Sequence, residues 1–168
     1  EISTRDWSSD VCSSDLRFKT MVYVLAYCGL RWGEMAALKR GRIDLEKSEI
    51  NIVEAVAEAN GDVIWGETKT YERRAISLPA FLTEMLKAHM SEFVENQSGD
   101  ALVFTNFQGG WLQNNNFSNR LWRPIISQLV ADGRISEKLS PKDLRATHAS
   151  WVAASAGVIE AARRLGHS

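Results

Sequence analysis

At 168 residues with 45% hydrophobic content, the chain is long enough for one domain with a substantial core, and it contains no apolar run approaching the length of a membrane span. The formal charge of −1 excludes a uniformly basic nucleic-acid binder, yet it averages over a gradient: residues 111–168 carry eight Lys/Arg against four Asp/Glu, whereas residues 17–110 carry eleven against thirteen. A phosphate-contacting surface is therefore expected in the C-terminal third.

Residues 1–16 read as foreign to the domain. Asp6-Trp7-Ser8-Ser9-Asp10-Val11-Cys12-Ser13-Ser14-Asp15-Leu16 resembles the in-frame translation of a common short-read sequencing adapter and is taken as a non-native tail. Without it the chain has nineteen bases and seventeen acids, and Cys28 is its only cysteine. A single cysteine and no secretory pattern make a cytoplasmic setting the expectation.

The pattern predicts a helix over Arg17–Cys28, with Phe18, Met21, Val22 and Leu25 at helical spacing, ended by Gly29. A short helix follows over Arg31–Leu38. Three extended segments come next: Glu49–Ala57, Val63–Trp65 after the Asn60-Gly61-Asp62 turn signal, and Arg73–Leu78. Joined by tight turns they predict an antiparallel meander, with Lys69 in the second connection. Pro79 starts a helix with Phe81, Leu82, Met85, Leu86 and Phe93 as its buried stripe through about Val94. Beyond Leu102-Val103-Phe104 and the Gly109-Gly110 turn, Asn114–Asn116 starts another helix, whose inner face is read as Phe117, Leu121, Ile125 and Leu129 with a bend at Pro124. Helices over Lys142–Ala156 and Val158–Leu165 complete a mostly helical α+β domain with one small sheet.

In the Lys142 helix, positions 142, 145 and 149 share one face, and Leu144, His148, Trp151, Val152 and Ser155 lie towards another. Lys142 and Arg145 are thus expected to project together, away from the packed side. A solvated basic face is the bland alternative. Arg31 and Glu34 read equally as a helix-surface ion pair, Lys69 as a charged turn residue, and His167 as an inert terminal histidine. His89 and His148 read as packed histidines, and three histidines without ligand spacing argue against a metal site.

Taken in order, Gly29-Leu30-Arg31-Trp32-Gly33-Glu34, Thr68-Lys69-Thr70, Ile76-Ser77-Leu78-Pro79, Leu139 to Ser150 around Pro141-Lys142-Asp143-Leu144-Arg145, and Leu165-Gly166-His167-Ser168 resemble the catalytic domain of the tyrosine recombinases, the phage-integrase family. The resemblance covers residues 17–168. It implies a DNA breaking-rejoining fold of α+β class, mostly helical with a small three-stranded antiparallel sheet, and site-specific recombination of double-stranded DNA, integration or excision, through a 3′-phosphotyrosyl intermediate. It also implies the roles of single residues. Arg31 and Arg145 match the two arginines that hold the scissile phosphate, a task suited to guanidinium forks. Glu34 matches the acid supporting the first arginine, Lys69 the general acid for the leaving 5′-hydroxyl, and His167 the late histidine that donates to the phosphate.

Two departures stand out. Lys142 occupies the usual histidine position, where it could shuttle a proton only if cationic neighbours lower its pKa. The family's nucleophilic tyrosine lies beyond the Leu-Gly-His motif, and Ser168 is the last residue here. The chain is therefore read as C-terminally truncated, with no nucleophile of its own and no cleavage activity by itself. Neither ATP, metal nor other cofactor is implied, because the exchange conserves bond energy. Double-stranded DNA is the expected partner, with self-association in a tetrameric synapse in the intact parent and no membrane association. The alternative function is a noncatalytic DNA-binding or regulatory protein retaining the fold; a third reading is an unrelated helical domain with surface ion pairs. The recombinase reading expects Arg31, Lys69, Lys142, Arg145 and His167 to converge on one basic concavity, and DNA binding to be weak and salt-sensitive.

Overall fold

The computed structural model describes residues 16–59, 62–67 and 73–165. Helix α1 (Leu16–Cys28) lies at the centre and packs against α3 (Ala80–Phe93) and α6 (Pro141–Ala156). Its Met21, Val24 and Cys28 are fully buried, and they meet a core that includes Leu82 and Leu86 of α3 and Phe104. Burying each large side chain of this kind stabilises the fold by about 1.5–3 kcal/mol. Gly29, at φ +62, ends α1 in the left-handed conformation that favours glycine, and its N–H donates to the Leu25 carbonyl at 3.1 Å.

The short α2 (Trp32–Ala36) follows directly. A 3₁₀ turn over Arg40–Arg42 then leads to strands β1 (Ile43–Asp44), β2 (Glu49–Ile52), β3 (Glu54–Ala59), β4 (Asp62–Glu67) and β5 (Arg74–Ser77). A three-stranded antiparallel sheet forms as expected, but from different strands. Its order is β1-β2-β5, and β3-β4 is a separate antiparallel hairpin. The segment expected as one strand over Glu49–Ala57 breaks at Val53. Its first half pairs with β5, while its second half carries the buried Val56 onto α2. Gly33 permits that docking: a Cβ there would lie 2.2 Å from the Val56 carbonyl oxygen, a distance no side chain tolerates. Lys69 lies outside the described residues.

Pro79 immediately precedes α3, with its carbonyl accepting from Leu82 and Thr83 N–H at 2.9 and 3.1 Å. The buried face of α3 is Leu82, Thr83, Leu86, His89 and Met90; Phe81, expected inside, is 44% exposed and sets its ring edge-on to Tyr23 and Tyr27. The Asn114 helix runs through α4 (Asn114–Phe117), a π turn over Ser118–Trp122 and α5 (Arg123–Ala131). Pro124 has no N–H for the carbonyl four residues back, and the helix widens just before it. The extra residue in a π turn advances the helical phase by one position. Ile126 is consequently the buried residue, and Ile125, expected inside, faces out.

At α6 the Asp143 carboxylate accepts from the Ser140 N–H and hydroxyl, both at 2.7 Å, and Pro141 occupies the first turn. His148 and Val152 are its buried residues, whereas Trp151, expected on the packed side, is 41% exposed against Tyr27. Gly157 separates α6 from α7 (Val158–Leu165). Among the described residues, no helix is long and apolar enough to cross a membrane.

Candidate active site

Arg31 is the residue before α2, extended at φ −70 and ψ 153, and Glu34 is the third residue of the helix. The Glu34 carboxylate reaches back to accept the Arg31 N–H at 2.8 Å, as an acid in the first helical turn does when it satisfies an open backbone donor. It also accepts Arg31 Nη1 at 2.9 Å. This pair is not a helix-surface one, because the Glu34 side chain is 1% exposed. A carboxylate so deeply buried needs further partners. Arg74 of β5 provides them, donating Nη1 to Oε1 at 3.0 Å and Nη2 to Oε2 at 2.7 Å. Burial alone would raise the Glu34 carboxyl, but the hydrogen bonds from Arg74 and Arg31 and the charge of Arg74 outweigh it and hold it below the usual carboxylate range.

Arg145 enters the same place from α6. It does not project away from the packed side as expected. It is half-buried, donating Nη2 to the Leu165 carbonyl at 2.7 Å and Nη1 to the Gly29 carbonyl. Gly29 also lets α6 and the end of α7 pack close against it; a Cβ there would lie 2.5 Å from His148 Cδ2 and 3.0 Å from Leu165 Cδ2. Burial, followed by repulsion from Arg31 and Arg74 and opposed by Glu34, lowers the Arg145 guanidinium to about 10. It remains charged at neutral pH. Among the described residues, three arginines therefore lie around one carboxylate, an arrangement that favours a bound anion.

The end of α7 closes the cluster. Arg74 Nε donates to the Arg164 carbonyl at 3.1 Å, so Arg74 and Arg145 together satisfy the carbonyls of the last two residues of that helix. Cations at a helix C-terminus are favoured by both the open carbonyls and the helix dipole. His167 lies outside the described residues, as Lys69 does. Lys142 is exposed in the first turn of α6. The structure thus brings together Arg31, Glu34 and Arg145.

Arg74 was not among the residues singled out from sequence. A signal existed: it shares a strand face with the buried Ile76, so it is an arginine at an inward-facing position. His148 is buried beneath the site and bonds the Ala26 carbonyl, while its Nε2 has no hydrogen-bond partner. Burial, with the charges of Arg164 and Arg145, lowers its pKa against that bond. His89 is likewise buried, with Nε2 at 2.8 Å from the Val103 carbonyl oxygen. Among the described residues no group of three or more His, Cys, Asp or Glu is placed to hold a metal ion.

The family model described as the phage integrase family matches residues 7–168. The integrase of Mycobacterium phage FRAT1 is 31% identical over 156 residues, covering 90% of this chain and 45% of that protein. The integrase of Mycobacterium phage L5 is 28% identical over 166 residues, covering 95% and 43%. The chain therefore spans less than half the length of these curated relatives. Among solved structures, the Tn1549 transposon integrase in complex with transposon right end DNA has a similar fold, with a TM-score of 0.78 at 16% identity over 90% of this chain and 51% of that one. XerA recombinase is similar with a TM-score of 0.67 at 25% identity, over 93% and 51%. A family match across nearly the whole chain, joined to a fold shared with these recombinases, means that the chain belongs to the phage integrase family, the tyrosine recombinases.

Proposed function

We propose that residues 17–168 are the catalytic domain of a site-specific DNA recombinase and that the arginine cluster grips one phosphodiester of double-stranded DNA. The observation that carries this reading is the meeting of Arg31 and Arg145, far apart in the chain, beside one buried carboxylate. Their guanidinium groups hold the non-bridging oxygens and stabilise the charge that develops as the phosphorus becomes five-coordinate. Glu34 orients Arg31. Lys69 protonates the leaving 5′-hydroxyl, Lys142 stands at the family's usual histidine position and donates to the phosphate, and His167 supplies a further hydrogen bond. A tyrosine hydroxyl attacks the phosphate, forming a 3′-phosphotyrosyl bond as the 5′-oxygen leaves. The 5′-hydroxyl of a partner strand then displaces the tyrosine, and exchange between two duplexes calls for four protomers in a synapse.

The test is the affinity of this chain for a fluorescent duplex across a salt series, compared with Arg31→Ala and Arg145→Ala. A negative slope of log K against log salt and weaker binding by both variants are expected, since each phosphate contact releases counterions. Salt-independent affinity, or variants that bind like the parent, would remove the phosphate from the site.

A further inference from the structure

Arg74 is a firmly held guanidinium of the cluster. Its side chain is 10% exposed, against 32% for Arg31. Both of its Nη atoms bind the Glu34 carboxylate, and its Nε binds the Arg164 carbonyl, so its fork is committed to protein groups. We propose that Arg74 is a positioning residue that takes the bidentate place on Glu34, so that the Arg31 fork is not turned fully onto that carboxylate and keeps the orientation in which it meets the phosphate, while Arg74 also fastens the end of α7 to the site. This inference rests on the phosphate-binding reading above.

The reasoning follows from how a buried carboxylate chooses partners. An arginine beside a carboxylate prefers the bidentate arrangement, with two parallel N–H···O bonds. Arg74 already makes that arrangement, through 3.0 and 2.7 Å bonds to the two different oxygens. Arg31 reaches Oε1 through Nη1, from a position in which its backbone N–H is also fixed to Oε2. One arginine–carboxylate pair is neutral overall, so Glu34 does not draw the whole Arg31 fork onto itself while Arg74 is in place. Without Arg74 the 1% exposed carboxylate has, among the described residues, Arg31 as its guanidinium partner. Arg31 then turns its fork onto Glu34 and away from the orientation that meets a phosphate. A lysine at 74 cannot replace the clasp, because an ammonium group has no planar fork to span two oxygens while also reaching a carbonyl.

The experiment compares the full chain with Arg74→Met, Arg74→Lys and the double variant Arg74→Met/Glu34→Gln, all checked for folding by circular dichroism. One readout is the affinity for a fluorescein-labelled random-sequence duplex over a salt series. The other is the side-chain NMR signal of ¹⁵N-labelled Arg31, assigned with Arg31→Lys, which reports hindered rotation of its guanidinium when it forms a bidentate pair. Arg74→Met is expected to weaken binding roughly tenfold, the scale of one lost charged hydrogen bond. Its salt slope should become shallower by about 0.9, the value for one phosphate contact. The Arg31 signal should show slowed rotation. Removing the carboxylate charge as well should restore both affinity and rotation, an outcome that a merely structural role for Arg74 does not produce. Arg74→Lys should resemble Arg74→Met.

A folded double variant that binds no better than Arg74→Met would overturn the proposal, and so would parent-like binding by Arg74→Met. If the parent chain shows no salt-dependent binding, the phosphate reading fails separately. In that case the NMR arm still decides the role of Arg74, with an unchanged Arg31 signal in Arg74→Met counting against it. If Arg74→Met does not fold, Arg74→Lys carries the same comparison, and parent-like affinity with an unchanged Arg31 signal overturns the proposal.

Discussion

Replacing Glu34 with Gln removes one charge from the centre of the site and leaves its shape nearly unchanged. The carboxylate accepts four donors, at 2.7, 2.8, 2.9 and 3.0 Å, three of them from guanidinium groups. Summed naively at about 1.5–3 kcal/mol per charged hydrogen bond, these would be comparable with the whole stability of a typical domain. Most of that gain offsets the cost of removing the charges from water, so the pair taken whole contributes little net stability. Removing one partner is different. In Glu34→Gln the amide carbonyl keeps part of the acceptor role, but the amide nitrogen turns N–H towards a guanidinium, and the 10% exposed Arg74 loses its counter-ion. Breaking a buried pair in this way costs about 3–5 kcal/mol. Urea unfolding at neutral pH measures it directly. The pH dependence supplies a second reading. The folded-state pKa of Glu34 is depressed, so its contribution is fully present above its unfolded value of 4.5 and is lost as pH falls through the lower folded value. The parent should therefore lose stability below about pH 5 more steeply than Glu34→Gln, and the two should converge in acid. A loss under about 1 kcal/mol at neutral pH, with parallel acid profiles, would refute a coupled buried cluster.

Gly29→Ala forces a side chain into φ +62 and places its Cβ 2.5 Å from the His148 ring, so it should cost about 2–4 kcal/mol, read by chemical denaturation. Arg145→Ala uncovers the carbonyls of Gly29 and Leu165, and hydrogen exchange should show α7 losing protection well before α1; unchanged α7 protection would mean that Arg145 does not hold that helix. His148 has a depressed folded pKa, so the unfolded chain binds more protons and stability falls as pH drops through the unfolded value of 6.5. His148→Asn, which keeps a donor for the Ala26 carbonyl, should abolish the part of the decline between pH 7 and pH 5 in thermal unfolding, although it starts from a lower midpoint.

Helix limits were legible where local signals are strong. α1, α3, α6 and α7 fall within a residue or two of the segments read from spacing, Gly29 and Pro79. Facing was less legible, because it depends on what lies opposite. Ile125 and Ile126 exchange places since a π turn shifts the phase, and no 3.6-residue pattern carries an insertion of that kind. Phe81 and Trp151 are apolar at helical spacing, yet they stay partly exposed around the Tyr23–Tyr27 stack, whose ring centroids are 5.9 Å apart. Strand existence was visible, but strand partners were not. A hairpin pattern cannot reveal that Val53 lets the chain leave one sheet for another, because the cause is the room that Gly33 makes on α2.

The same division runs through the site. Arg31 and Glu34 are three residues apart at a helix start, so backbone geometry alone makes them meet. Arg145 was legible as a functional residue, but its direction was not: amphipathic spacing assigns a charged side chain to solvent, whereas the carbonyls of Gly29 and Leu165 draw this one inward. Arg74 carried the least local signal, since its partners are Glu34, forty positions earlier, and Arg164, ninety later. Those partners also explain why an arginine is tolerated inside. A buried cation is stable where a carboxylate and helix-terminal carbonyls are already short of donors, and the cluster provides both. The groups that terminate α7 are thus the same ones that concentrate positive charge beside Arg31. Holding the end of that helix and attracting an anion are consequences of one arrangement, and a substitution aimed at either should disturb the other.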